Sequence, residues 1–131
     1  MKKLLILLLI ISMFVCLACD KDDSENSSQK TDSSTYIVGR WGDSIFSSQT
    51  TPCYWKDGVR HDLESDSGFG GTANAVWVDG SDVYIAGSYN VQACYWKNGR
   101  RYDVGPDSSS ANAIQVVNGK VYVMGEYKSY N

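Results

Sequence analysis

From residue 36 onward the apolar positions come in short runs rather than on a helical stripe. YIVGRW (36–41), ANAVWV (73–78), VYIAGSY (83–89), QACYWK (92–97), ANAIQV (111–116) and VYVMGEY (121–127) are rich in Val, Ile, Tyr and Trp. Asp-Gly or Asn-Gly punctuates them at Asp57-Gly58, Asp79-Gly80, Asn98-Gly99 and Asn118-Gly119. Such dipeptides favour type I′ hairpin turns, because both central residues must adopt positive φ. β-branched and aromatic runs bounded by these turns predict antiparallel hairpins, and no stretch carries sustained helical periodicity or capping signals. The chain is therefore expected to be all-β.

The runs also repeat. CYWKDGVRHDL (53–63) aligns with CYWKNGRRYDV (94–104) at seven of eleven positions, an offset of 41. ANAVWVDGSDVYIAGSY (73–89) aligns with ANAIQVVNGKVYVMGEY (111–127) at eight of seventeen, an offset of 38. YIVGRW (36–41) is a third copy of the piece found at 84–89 and 122–127. Each unit of about 40 residues reads as four strands: a (ANAVWV), b (VYIAGSY), c (QACYWK) and d (RRYDV). Four antiparallel strands per such unit is the blade of a β-propeller. In chain order the strands run b, c, d, a, b, c, d, a, b. Nine strands fall short of the roughly 16 that a ring of four blades needs. By the 38-residue offset Asn131 aligns with Ala93, one residue before the next expected CYWK cysteine. The expectation is a partial propeller over 36–131. Truncation of a longer chain is the favoured reason, with completion by other chains or a small open stack as alternatives.

The first residues belong to a different region. Lys2 and Lys3 precede an apolar run, Leu4 to Ala18, that is shorter than the roughly 20 residues of a comfortable membrane span and reads as a secretory signal, residues 1–18. Leu17-Ala18-Cys19 resembles a bacterial lipobox, with Cys16 where an aliphatic residue is usual. The resemblance implies cleavage after Ala18 and lipidation of Cys19, anchoring the chain to a membrane. Asp20-Lys21-Asp22-Asp23 resembles the export tag of surface lipoproteins in some Gram-negative groups. Residues 20–35 contain no aliphatic or aromatic side chain, so 19–35 reads as a lipidated cysteine and a disordered tether. Losing Lys2 and Lys3 with the signal takes the formal charge from −3 to −5. That balance provides no electrostatic footprint for nucleic acid.

Candidate chemistry is sparse. Cys53 and Cys94 are an even pair in an exported chain, so a disulfide is one option. They stand at equivalent positions of successive units, which favours two separate buried thiols. A two-residue turn in CYWKDGVRHDL places Trp55 opposite Arg60 and Cys53 opposite Asp62, and the second copy places Trp96 opposite Arg101. Each Trp–Arg pair predicts cross-strand packing with cation–π attraction. His61 has Tyr102 as its counterpart and reads as a packing residue. No catalytic, metal-binding or phosphate-binding motif is found, and SGFGGT (67–72) is too unconstrained for a nucleotide loop. Trp41, Tyr89 and Tyr127 are equivalent and predict packing between units. Trp77 faces Gln115 in the alignment, which predicts an exposed indole and a candidate contact for a glycan or peptide.

The combined pattern, A-N-A-[VI]…V-Y-[IV]…G followed by C-Y-W-K-[DN]-G…D-[LV], resembles propeller-type repeat lipoproteins of bacteria. It is similar to the extracellular HAF repeats, with their Trp–x–x–Gly…Asp–Leu signature. The resemblance spans residues 36–131. It implies a propeller-like fold at the cell envelope, with no catalytic residue or cofactor to carry over. The expected function is a binding or scaffold module, lipid-anchored in the outer membrane and surface-displayed, with loops 42–52 and 64–72 available for recognition. The alternative is a piece of a glycan-active propeller enzyme whose catalytic residues lie in other blades.

Overall fold

The computed structural model describes residues 33–42, 49–66 and 68–129. The expected signal peptide, Cys19, most of the tether and most of loop 42–52 lie outside them. Among the described residues the chain is all-β, with nine strands and no helix. These are β1 (Tyr36–Trp41), β2 (Thr51–Lys56), β3 (Val59–Asp62), β4 (Gly71–Asp79), β5 (Asp82–Tyr89), β6 (Gln92–Lys97), β7 (Arg100–Asp107), β8 (Ser109–Val117) and β9 (Lys120–Tyr127). They form three antiparallel sheets, β1-β2-β3, β4-β5-β6-β7 and β8-β9.

Equivalent residues occupy equivalent registers. Cys53 pairs with Asp62 and Trp55 with Arg60, as Cys94 pairs with Asp103 and Trp96 with Arg101. Gly39 faces Cys53 and Gly87 faces Cys94. Positive φ at Asp57-Gly58, Asn98-Gly99 and Asn118-Gly119 matches the expected I′ geometry. The Asp57 and Asn98 carboxylate or amide oxygen also accepts from the start of strand b, from Thr35 N at 2.8 Å and Val83 N at 2.9 Å. These turn residues therefore select the turn and lock the first strand of the hairpin stack.

Two turns differ from expectation. Asp79 pairs with Asp82, so the central residues are Gly80 and Ser81. Gly80 has φ 60° and Ser81 is not left-handed, as in a type II′ turn. The other is Asn90-Val91, left-handed at both residues with φ of 46° and 59°. Valine is β-branched, and its Cβ crowds the backbone in this conformation at a cost of roughly 1–2 kcal/mol. Its side chain is 67% exposed, so it recovers little packing in return. Val91→Gly is expected to raise stability by about 1 kcal/mol, read as a higher urea midpoint with unchanged slope.

The sheets meet front to back. The front of the first sheet, carrying Val38 and Tyr54, packs on the back of the second, where Ala73, Ile85, Tyr89, Cys94 and Trp96 are buried together with Leu63. The front of the second sheet, with Tyr84, Ala86 and Ala93, packs on Ala111, Ile114 and Val116 at the back of the third. Backbone links recur at both junctions. Gly71 N donates to Thr50 O at 3.0 Å, as Ser109 N donates to Val91 O at 3.1 Å. Asn90 N donates to Gly70 O, as Lys128 N donates to Ser108 O, both at 3.0 Å.

The Ala-Asn-Ala motif belongs to the same junctions. Asn74 and Asn112 sit at register shifts in β4 and β8, where one strand holds an extra residue. The bulge turns the Asn74 side chain out of its own sheet. Its Nδ2 donates to Ala111 O of the third sheet at 2.9 Å, while its Oδ1 accepts from Thr72 Oγ1 at 3.3 Å. Asn112 repeats the local half of this arrangement, accepting from Ser110 Oγ at 3.2 Å.

Candidate functional site

Strands β5, β6 and β7 of the second sheet build a polar cluster. Trp96 and Tyr89 flank the small pair Gly87 and Cys94 on one sheet face, leaving a trough. Arg101 lies across it, with its guanidinium carbon 4.3 Å from the Tyr89 ring centroid. Arg101 Nε donates to Asp103 Oδ1 at 3.1 Å, and its backbone N donates to Glu64 Oε2 at 2.7 Å. Nη1 stands 3.6 Å from Asp66 Oδ2, an ion pair longer than a hydrogen bond. It has no hydrogen-bond partner among the described residues. Tyr89 Oη is held by Asp66, accepting from its N at 2.7 Å and donating to its O at 2.8 Å. Partial burial works against the Arg101 charge, but Asp103 and Asp66 outweigh it and hold its pKa above the ordinary arginine value.

The first sheet repeats the design in the open. The Arg60 guanidinium carbon sits 4.8 Å from the Trp41 ring centroid, and its Nε pairs with Asp62 at 3.0 Å. Thus the cation–π partner of each arginine is the aromatic at the end of strand b, not the tryptophan directly opposite. The cross-strand register is as expected, and the ring contact is corrected. Trp55 and Trp96 project from the back of their sheets, where Trp96 Nε1 donates to Glu64 O at 3.0 Å. His61 stacks on Tyr54 with centroids 4.8 Å apart, as Tyr102 stacks on Tyr95 at 5.0 Å. Both act as packing rings. With the Arg101 charge faced by Asp103 and Asp66, the cluster is compensated internally and is structural.

Cys53 and Cys94 are free and buried in separate sheets. Burial raises the Cys94 pKa to about 12, with the Asp103 charge adding to it, and burial with the Asp62 charge raises Cys53. The thiolate is the nucleophile, so neither thiol is reactive in the folded chain. In the native protein at pH 8 both should resist a thiol reagent, then react on unfolding in urea. The sign of the pH effect follows. Below pH 9 the thiol is protonated in both states, whereas above it the unfolded thiol ionises and the buried one does not. Cys94 therefore costs about 1.4 kcal/mol of stability per pH unit between 9 and its folded pKa. Alkaline urea titrations of wild type and Cys94→Ala should diverge over that window, the wild type falling faster.

Trp77 is half-buried, packed on the second core beside its cross-strand partner Tyr84. Its counterpart Gln115 is exposed. The inference from Gln115 to an exposed Trp77 fails in part, because the front of the second sheet is covered by the third sheet. No group of metal-ligating side chains is found among the described residues.

One concave feature was not foreseen. A cleft of about 280 Å³ lies between the second sheet and β8–β9, lined by Ala93, Val104, Ala111, Val123, Gly125 and Tyr127. Shifted back one repeat, these positions are Pro52, Leu63, Ala73, Ile85, Gly87 and Tyr89. There the same space is filled by Cys94 and Trp96 of strand c. Leu63 is 3% exposed, whereas Val104 is 49% exposed. The alignment held this signal, since it assigns a lining residue to every position of the filled core. Comparison with protein-family models, curated proteins and solved structures finds no match to this chain.

Proposed function

We propose that the chain is a lipid-anchored protein of the bacterial cell envelope whose propeller-like β-repeat part serves as a binding or scaffold module. The lipobox-like Leu17-Ala18-Cys19 and the polar segment 20–35 support the anchor and tether. Front-to-back stacking of antiparallel sheets in chain order supports the propeller-like reading.

The observation that carries the binding role is the front of the third sheet. Tyr122, Met124 and Val117 are 56%, 72% and 42% exposed there. Tyr84 and Ala86, the counterparts of Tyr122 and Met124, are buried under the third sheet. Repeat positions that elsewhere form a core are thus presented as an apolar surface, and such patches mark interaction sites. The remaining exposed part of Trp77 is the candidate contact for a glycan.

Cys19→Ser is expected to move the protein from the membrane fraction to the soluble one. Retention of the variant in the membrane fraction would remove the lipid anchor from the reading. Glycan-array binding that survives Trp77→Ala would remove the indole as its contact.

A further inference from the structure

We propose that the cleft beside β9 receives a further β-hairpin of the repeat's own type. Its first strand pairs with the free edge of β9 and its tryptophan fills the cleft. This deepens the binding-module reading and does not depend on the lipid anchor.

Two precedents within the chain define the fit. Strand b binds strand c in one register in both other sheets. Gly39 and Gly87 face Cys53 and Cys94, Ile37 and Ile85 face Trp55 and Trp96, and Tyr36 and Tyr84 face Lys56 and Lys97. On β9 the matching positions are Gly125, Val123 and Tyr122. Among the described residues β9 pairs with β8 alone, so its other edge is open. Val117 and Lys120 close the β8–β9 hairpin, which turns alternate β9 amides, including those of Val121, Val123 and Gly125, to that edge. An extended segment added there gains main-chain hydrogen bonds, and pockets for alternate side chains supply specificity.

The cleft supplies such a pocket. A cavity of about 150 Å³ accommodates a benzene ring, so about 280 Å³ has room for an indole and a small neighbour. Gly105 aligns with Glu64, whose O accepts from Trp96 Nε1; Gly105 O accepts from Gln92 Nε2 at 2.7 Å and has a second lone pair for an indole. Tyr127, 59% exposed, stands where Tyr89 carries the Arg101 guanidinium. The two described c–d hairpins are engaged with β1 and β5, so the occupant is a further hairpin.

One position departs from the repeat and sets a preference. Lys97 Nζ pairs with Asp82 Oδ2 at 2.9 Å and lies 5.2 Å from the Tyr84 ring centroid. The third sheet has Lys120 where the second has Asp82. An occupant with an acidic residue in place of that lysine is therefore the better match.

The test titrates a synthetic hairpin, residues 92–105 with 5-fluorotryptophan, into the full chain in detergent micelles. The expected result is a saturable fluorine shift with slowed amide exchange at Val121, Val123 and Gly125. Amides of Tyr122 and Met124, already paired to β8, should not change. A hairpin carrying Trp96→Ala should bind roughly ten-fold more weakly, as loss of a central aromatic anchor demands. A hairpin carrying Lys97→Glu should bind about three-fold more tightly at low salt. Tyr127→Ala in the protein should weaken binding with an unchanged circular dichroism spectrum. Unaltered exchange along β9, or equal affinity for the Trp96→Ala hairpin, would overturn the proposal. So would self-association protecting the same amides without hairpin, because a second copy would then be the occupant.

Discussion

Trp96→Ala is expected to cost about 3–5 kcal/mol, enough to leave a domain of this size largely unfolded. Trp96 is fully buried at the centre of the first sheet junction, sharing a core with Leu63, Ile85 and Tyr89. Its removal opens a cavity that Gly87 and Cys94, themselves small and backbone-anchored, cannot collapse into. The change also removes the hydrogen bond from Nε1 to the Glu64 carbonyl. Trp55, the equivalent residue in the first sheet, is half-buried on a face that no further described sheet covers. Trp55→Ala should therefore cost roughly half as much, since the penalty scales with burial and cavity size. Urea titrations of the two variants check the contrast, and equal losses would contradict the assigned packing.

A similar contrast is expected between glycines at one repeat position. A Cβ added to Gly87 would sit 2.0 Å from the Thr72 carbonyl oxygen and 3.0 Å from Trp96 Cζ3. The first is backbone in a paired strand and cannot swing aside. Gly87→Ala should cost about 3 kcal/mol or more, at the upper end of overpacking losses. At Gly39 the nearest atom would be Trp55 Cζ3 at 3.7 Å, ordinary contact distance. Gly39→Ala should be tolerated, or stabilise slightly by reducing chain entropy in the unfolded state. The difference arises because Gly87 lies beside a bulged strand a, and β1 has no such neighbour among the described residues. Thermal melts of the two variants provide the check, with Gly87→Ala melting far below Gly39→Ala.

Much of this architecture was legible in the sequence because the repeat carries its own register. Aligning CYWKDGVRHDL with CYWKNGRRYDV, and placing a two-residue turn at Asp57-Gly58 and Asn98-Gly99, was enough to pair Cys53 with Asp62 and Trp96 with Arg101. What escaped depended on contacts between units. The arginines reach the aromatic of strand b because the Gly–Cys trough lets them cross, a distance no pairwise alignment encodes. Asn90-Val91 lacks a turn glycine, so its left-handed turn gave no local signal; the structure imposes it through the link from Ser109 N to Val91 O. Trp77 and Gln115 are equivalent in sequence but not in surroundings, since a sheet covers one and not the other. The cleft beside β9 is the same effect reversed, a lining that matches the repeat around a space the described strands do not fill.

The edge position of β1 has a mechanical consequence. Any tension carried by the chain ahead of Ser33 enters the fold at Thr35. Its N and O are clasped to Asp57, at 2.8 Å to the carboxylate and 3.0 Å from the Asp57 amide. Beyond that clasp β1 is held, among the described residues, along one side only, by antiparallel bonds to β2. A pull directed away from the sheet loads those bonds one after another instead of together. The first strand would peel before the later sheets bear any load, and Asp57 sets the force at which peeling starts.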